Sequence, residues 1–166
     1  QSATTMLREA IVSQYRRLDL GAAVYYTAMV GNGFVEVGRP ETALEYCDTA
    51  LKVAFFVGDL GFPFLAYQGK ARALIALHRE TEAQKVLDEA LRRARMDGNF
   101  MALSQLLVVA GTAAHDSTAA IRYLVEATNV SQAKGLQHVF AWSSFELAKL
   151  YRDAGNLDGA ELLASR

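Results

Sequence analysis

Leu18-Asp19-Leu20-Gly21 returns as Gly58-Asp59-Leu60-Gly61, three residues of four identical at an offset of 40. Gly98-Asn99 continues the series at the same offset, and Gly135-Leu136 follows after 37. A second series runs in parallel: Ala3, Leu7 and Ala10 share their spacing with Ala43, Cys47 and Ala50, with Ala83, Leu87 and Ala90, and with Ala120, Leu124 and Ala127. Ala160 and Ala164 begin a fifth copy. Gly31, Ala71, Gly111 and Ala148 form a third series, again at 40, 40 and 37. Three series sharing one phase define an internal repeat, and self-similarity at such a period is the signature of stacked supersecondary units. The three lost residues fall between Gly111 and Ala120, and the tight connection His115-Asp116-Ser117 is their expected place.

Each unit reads as two helices. Leu74, Leu77, Val86, Leu87 and Leu91 recur at three- and four-residue steps, the spacing of a buried helical stripe. Asp19, Asp59 and Asn99 stand where a side-chain oxygen can accept the free N–H groups of a first helical turn, and Asp116 or Ser117 can do the same. Pro40 and Pro63 suit first turns, where the missing donor matters least. Gly38 and Gly155 supply the left-handed residue that closes many helices. First helices are expected at 20–37, 60–78, 99–114 and 137–154, second helices at 3–17, 41–57, 81–97, 117–134 and 157–166. The repeat units are 1–18 (partial), 19–58, 59–98, 99–135 and 136–166 (partial), about nine helices within one domain, 1–166. Glycine inside a helix costs about 0.5–1 kcal/mol relative to alanine, so Gly31 and Gly111 need a reason. Close approach of two helices at a line of small residues is that reason, with Ala43, Ala83, Ala120 and Ala160 as the partner line.

The bulk composition bounds what such an array can be. At 52% hydrophobic and 21% charged the chain belongs with ordinary globular domains, not disordered ones. A net charge of −1 provides no global field for nucleic acid or an anionic membrane. No run approaches the roughly 18 apolar residues of a membrane span, and no charged-then-apolar leader opens the sequence. The single cysteine, Cys47, excludes an intrachain disulfide, and a cytoplasmic setting is the default expectation.

A small residue on the first helix, a large one three later (Phe34, Leu74, Tyr151), an alanine twelve after the first, and Ala-x3-large-x2-Ala on the second helix together resemble the tetratricopeptide-repeat pattern. The resemblance spans essentially the whole chain and rests on phase agreement. The period of 40 exceeds the usual 34 or so, and the proline expected after the second helix is absent. Longer repeats with a Gly-Asp link look like the sensor arrays of large bacterial transcription activators and other signalling proteins. HEAT-type repeats have a compatible length, but the small-residue phase fits them less well.

The resemblance implies an all-α, right-handed solenoid of antiparallel helix pairs whose first helices line a concave face. The residue after each small residue then points into the groove, giving Asn32, Arg72, Thr112 and Lys149, with Tyr25, Gln68, Gln105, Trp142, Phe145 and Arg152 as neighbours. Amides, cations and aromatics of this kind could hold an extended peptide: amides bond its backbone, cations its carboxylates, and Trp142 an apolar anchor. Arg72 and Lys149 are expected to be exposed and would favour an acidic partner. The lysine and asparagine constellation of chaperone-tail clamps is not reproduced.

Catalytic signals are weak by comparison. His78, His115 and His138 have no ligand partner at metal-site spacing, and no cofactor is implied. His115-Asp116 resembles a phosphohydrolase dipeptide, but capping chemistry explains it better. Gly31-Asn32-Gly33 does not open a helix after a strand, so it fails as a nucleotide loop. Arg92-Arg93-Ala94-Arg95 interleaves with Glu82, Asp88 and Glu89, the pattern of a solvated helix face and not of a nucleic-acid patch. Cys47 falls on a core position of the repeat, as a buried small hydrophobe would.

Two functional expectations follow: a non-catalytic scaffold for a protein or peptide, or a ligand- or partner-sensing module of a larger regulator. Because the first unit lacks its first helix and 157–166 is short for a second helix, the natural chain is expected to continue on both sides. End-to-end self-association is expected too, through apolar residues such as Ile11, Leu162 and Leu163 that would lose their neighbours.

Overall fold

The computed structural model describes residues 3–16, 19–56 and 63–156. Among these, eight helices and no strands are found. They are α1 (Ala3–Arg16), α2 (Leu20–Glu36), α3 (Pro40–Phe56), α4 (Phe64–Ala76), α5 (Glu80–Met96), α6 (Phe100–Ala113), α7 (Ser117–Ala133) and α8 (Gln137–Asp153). The expected helix at 157–166, the cap Asp59 and the residues Leu162 and Leu163 lie outside the described residues. No helix among those described is long and apolar enough to cross a membrane.

Helix starts follow the expected chemistry. The Asp19 carboxylate accepts the Ala22 amide at 3.1 Å, Asn99 Oδ1 accepts that of Ala102 at 3.0 Å, and Asp116 accepts that of Ala119 at 2.8 Å. Each such cap contributes about 1 kcal/mol. Asp116 rather than Ser117 is thus the cap of α7, and Pro40 is the first residue of α3. Pro63 was expected inside the first turn of a helix at 60–78; it is instead the N-cap of α4, which begins at Phe64 and carries no side-chain cap bond, and 60–62 lie outside the described residues.

Five helix ends share one construction. A residue with positive φ (Gly38, His78, Gly98, Gly135 or Gly155) lets the following amide turn back onto a carbonyl five residues earlier. The bonds are Arg39 to Phe34, Arg79 to Leu74, Asn99 to Ala94, Leu136 to Ser131 and Asn156 to Tyr151, all 2.8–3.0 Å. His78, at φ 55°, holds this position with a side chain, at a cost of about 1 kcal/mol relative to glycine. The end of α6 differs. It stops two residues after Gly111, whereas α2 runs five past Gly31 and α8 five past Ala148, and Ala114 is extended. The three missing residues are therefore the last turn of α6; its connection to α7 is three residues long, like those between α2 and α3, α4 and α5, α5 and α6, and α7 and α8.

The chain divides into two compact units, Gln1–Ala90 and Leu91–Arg166. In the first, α2 packs on α1, α3 and α4, and α3 packs on α4. Its core joins Ile11, Val30, Phe34, Ala43 and Ala73, flanked by Tyr26, Val35, Leu44 and Tyr46. Ile11 is therefore buried within its own unit, and the expectation that it lacks neighbours fails: α1 lays it against the Val30–Phe34 side of α2. In the second, α7 packs on α6 and α8, and α6 touches α8. Leu106, Leu107, Val108, Leu124, Val139 and Leu147 are buried there. Each unit thus places one second helix against two successive first helices.

The small residues mark where backbones meet. A Cβ on Gly31 would lie 2.6 Å from Cys47 Sγ and 3.2 Å from the Ala43 carbonyl oxygen of α3. One on Gly111 would lie 2.6 Å from Leu124 Cγ and 3.3 Å from the Ala120 carbonyl oxygen of α7. Both glycines meet the partner line that the repeat phase assigned to them. Gly69 is a further close approach, with Cys47 Sγ at 2.6 Å and Asn32 Nδ2 at 2.7 Å from the same construction.

Candidate functional site

The face of the first helices turned away from the second helices differs in each unit. In the first unit, Tyr25 is half exposed and stacks edge-on against Tyr26, ring centroids 5.6 Å apart. Asn32 spends both amide protons on backbone: Nδ2 donates to the Ala28 carbonyl at 3.0 Å and to the Leu65 carbonyl of α4 at 2.8 Å. It ties α2 to α4 and leaves only its carbonyl oxygen for a ligand. Arg72 donates to Glu36 at 2.6 Å across the same two helices. Its side chain is only partly exposed, less open than the sequence implied, because Glu36 holds it down along α2. Gln68 is 8% exposed, so it presents almost no surface. It lies one helical turn before Arg72, at the repeat equivalent of buried Ala28 and Val108.

In the second unit, Gln105 and Thr112 lie on α6, and Trp142, Phe145, Lys149 and Arg152 on α8. Gln105 Nε2 rests 3.5 Å from Met101 Sδ. Thr112 turns its hydroxyl back onto the Val108 and Val109 carbonyls, both at 3.1 Å, leaving the Oγ1 lone pairs outward. Trp142 is half-buried, Phe145 is exposed, and the Lys149 ammonium lies 5.5 Å from the Phe145 ring centre. Lys149 also donates to Glu146 at 2.7 Å, and Arg152 to its neighbour Asp153 at 2.9 Å.

The cations of both faces therefore come with their own carboxylates. Glu36 and Glu146 were missed by the sequence reading, as were the exposed methionines Met29 and Met101. Glu146–Lys149 could have been found from its i,i+3 spacing. Glu36–Arg72 could not, because the two residues meet only after α4 has packed on α2. The Arg72 and Lys149 pairs differ in what an incoming anion would leave behind. Glu36 is largely exposed and can return to water, whereas Glu146 is mostly covered and would be stranded.

Elsewhere the expected chemistry resolves into structure. The His115-Asp116 dipeptide is the α7 cap. Arg95 of the basic cluster pairs with Glu126 of α7 at 2.8 Å. Cys47 is buried, and burial pushes its thiol up to about 12, with Asp48 adding to the effect. A pocket of about 320 Å³ lies between the end of α7 and the start of α8, lined by Ser131, Gln132, Gln137 and Phe140. Among the described residues, no three His, Cys, Asp or Glu side chains gather as a metal site would need.

Comparison with protein-family models gives no match for this sequence, and comparison with curated proteins gives no relative.

Proposed function

We propose that the chain is a non-catalytic scaffold of the tetratricopeptide kind, a right-handed α-solenoid that binds a protein or peptide segment on the face of its first helices. The observation that carries this reading is the sorting of side chains on those helices. Small residues go to the helix crossings, while Tyr25, Gln105, Thr112, Trp142 and Lys149 keep polar or aromatic groups at the surface at repeat-equivalent positions. A row of amides, hydroxyls and aromatics suits a chain segment, whose backbone offers donors and acceptors at regular intervals. An acidic side chain on that segment would be received by Arg72, displacing the exposed Glu36, in preference to Lys149.

The test is selection of a random displayed peptide library on the whole chain, followed by affinity measurement on Tyr25→Ala and Trp142→Ala variants with unchanged helical circular dichroism. Aromatic anchors at interfaces commonly carry more than about 1.4 kcal/mol, so a loss of roughly tenfold or more is expected in at least one variant. Absence of any enriched sequence, or binding indifferent to both variants, would overturn the reading.

A second reading, a regulatory module sensing a small ligand for a larger bacterial signalling or transcription-regulating protein, draws support from the pocket at Ser131, Gln132, Gln137 and Phe140. A thermal-shift screen of metabolites with a control at the exposed pocket residue Gln137, Gln137→Ala, tests it; the reading requires a stabilising compound whose effect the substitution removes.

A further inference from the structure

Two arginine–glutamate pairs of the first unit are built differently. Arg79 grips Glu82 through two nitrogens, Nε to one carboxylate oxygen at 2.7 Å and Nη2 to the other at 2.8 Å. Arg72 reaches Glu36 through Nη2 alone, at 2.6 Å, and has no other partner among the described residues. A guanidinium carries five N–H donors in a fixed fork, and its strong mode is two parallel bonds to one carboxylate. One two-bond edge of the Arg72 fork is therefore unused.

The fold gains little from a carboxylate at position 36. Glu36 is the last residue of α2, where the free carbonyls concentrate negative charge, and the last turn carries no basic residue to offset them. Nor is the pair what holds α2 to α4. Asn32 does that one turn earlier, through its 2.8 Å bond to the Leu65 carbonyl and the close approach at Gly69. The Glu36 side chain is 65% exposed and that of Arg72 29%. When the pair opens, the carboxylate returns to water while the guanidinium stays against the two helices.

We propose that Glu36 is an internal competitor for Arg72, a stand-in for a carboxylate of the bound segment, and that it sets the selectivity of the α2–α4 face. The proposal rests on the peptide reading above and adds how the site is held closed. Two carboxylates on one guanidinium repel each other. An incoming aspartate or glutamate side chain makes two bonds where Glu36 makes one, so Glu36 is the one that leaves. A neutral side chain at the same place leaves the pair intact and gains nothing from Arg72.

A random displayed peptide library is selected in parallel on the unaltered chain, Glu36→Gln and Arg72→Gln, each with unchanged helical circular dichroism. Affinities are then measured for the most enriched peptide and for its counterpart with the carboxylate changed to an amide. An acidic residue should recur at one peptide position on the unaltered chain. The acidic peptide should bind Glu36→Gln about two- to fivefold more tightly, as release of an exposed ion pair allows. It should bind Arg72→Gln roughly fivefold or more weakly. The amide counterpart should not distinguish the unaltered chain from Glu36→Gln. A merely structural tie would instead make Glu36→Gln weaken both peptides alike. Enriched peptides without a recurrent acidic residue, or an acidic peptide that Glu36→Gln binds no more tightly, overturn this proposal and leave the peptide reading standing. No enriched peptide on any of the three chains overturns both.

Discussion

Cys47 is where the repeat phase, the packing and a titration meet in a single side chain. Its Sγ fills the space that glycine vacates at both Gly31 and Gly69, which is why it is buried and why its thiol is pushed from 9.0 to about 12. The proton is then held more tightly in the folded chain than in the unfolded one. Stability from this group is complete below the unfolded pKa and is lost as pH rises from about 9 toward 12. By pH 10 the loss is about 1.4 kcal/mol, since a tenfold change in proton affinity corresponds to about that much. Urea unfolding at pH 7.5 and pH 10 should show this difference in the unaltered chain and a smaller one in Cys47→Ala, other groups titrating equally in both. An identical pH dependence in the two would refute the assignment. The core role of Cys47 was legible from its place in the Ala-x3-Cys-x2-Ala register. What Asn32 does was not, because its bond to the Leu65 carbonyl spans 33 residues and depends on a close approach at Gly69 that lies outside the small-residue series.

At the scale of elements, the eight described helices fall within a few residues of their expected bounds, because capping and chain reversal were written in residue types with one physical meaning. Asp19, Asn99 and Asp116 accept first-turn amides, and Gly38 and Gly155 reverse the chain. The misplacements are equally physical. The start of α4 is fixed by Pro63 as a cap, and the shortened unit gives up a helical turn, not its connection. What decides the helix pairs is the line of glycines. Alanine at Gly31 gains up to about 1 kcal/mol of helix propensity. Its Cβ must nevertheless displace Cys47 Sγ and crowd the Ala43 carbonyl, which belongs to backbone and yields little. Overpacking of this kind costs about 1–3 kcal/mol, so Gly31→Ala should be destabilising on balance. In a Cys47→Ala background the nearer clash is gone and the same substitution should cost less. A double-mutant cycle by urea denaturation reads the difference; equal costs in both backgrounds would mean that α2 and α3 separate freely and that the line of small residues is not what sets their spacing.

For the whole molecule, the sequence made the repeat visible but not its division. The phase of 40, 40 and 37 runs without interruption through the chain, whereas contacts gather into Gln1–Ala90 and Leu91–Arg166, with α5 belonging to both. The surface positions Tyr25, Gln105, Thr112 and Trp142 were legible for the reason the crossings were, since periodicity fixes a face. Gln68 was placed with them but is 8% exposed, because a step of three or four residues does not say which neighbouring helix covers a position. The division has a consequence for unfolding. In arrays held together by neighbour contacts, stability is close to a sum of local terms, and cooperativity extends only as far as the coupling between neighbours. Trp142, the only tryptophan, lies in the second unit, while helical circular dichroism reports on both. Gly31→Ala weakens the first unit alone. In urea it should move the early part of the dichroism transition to lower concentration while the Trp142 fluorescence midpoint stays where it is. If both signals shift together, the continuous helix α5 transmits the loss and the two units unfold as one. If they part, α5 is a link whose halves answer to different cores, and a ligand on the face of one unit would stabilise that unit without protecting the other.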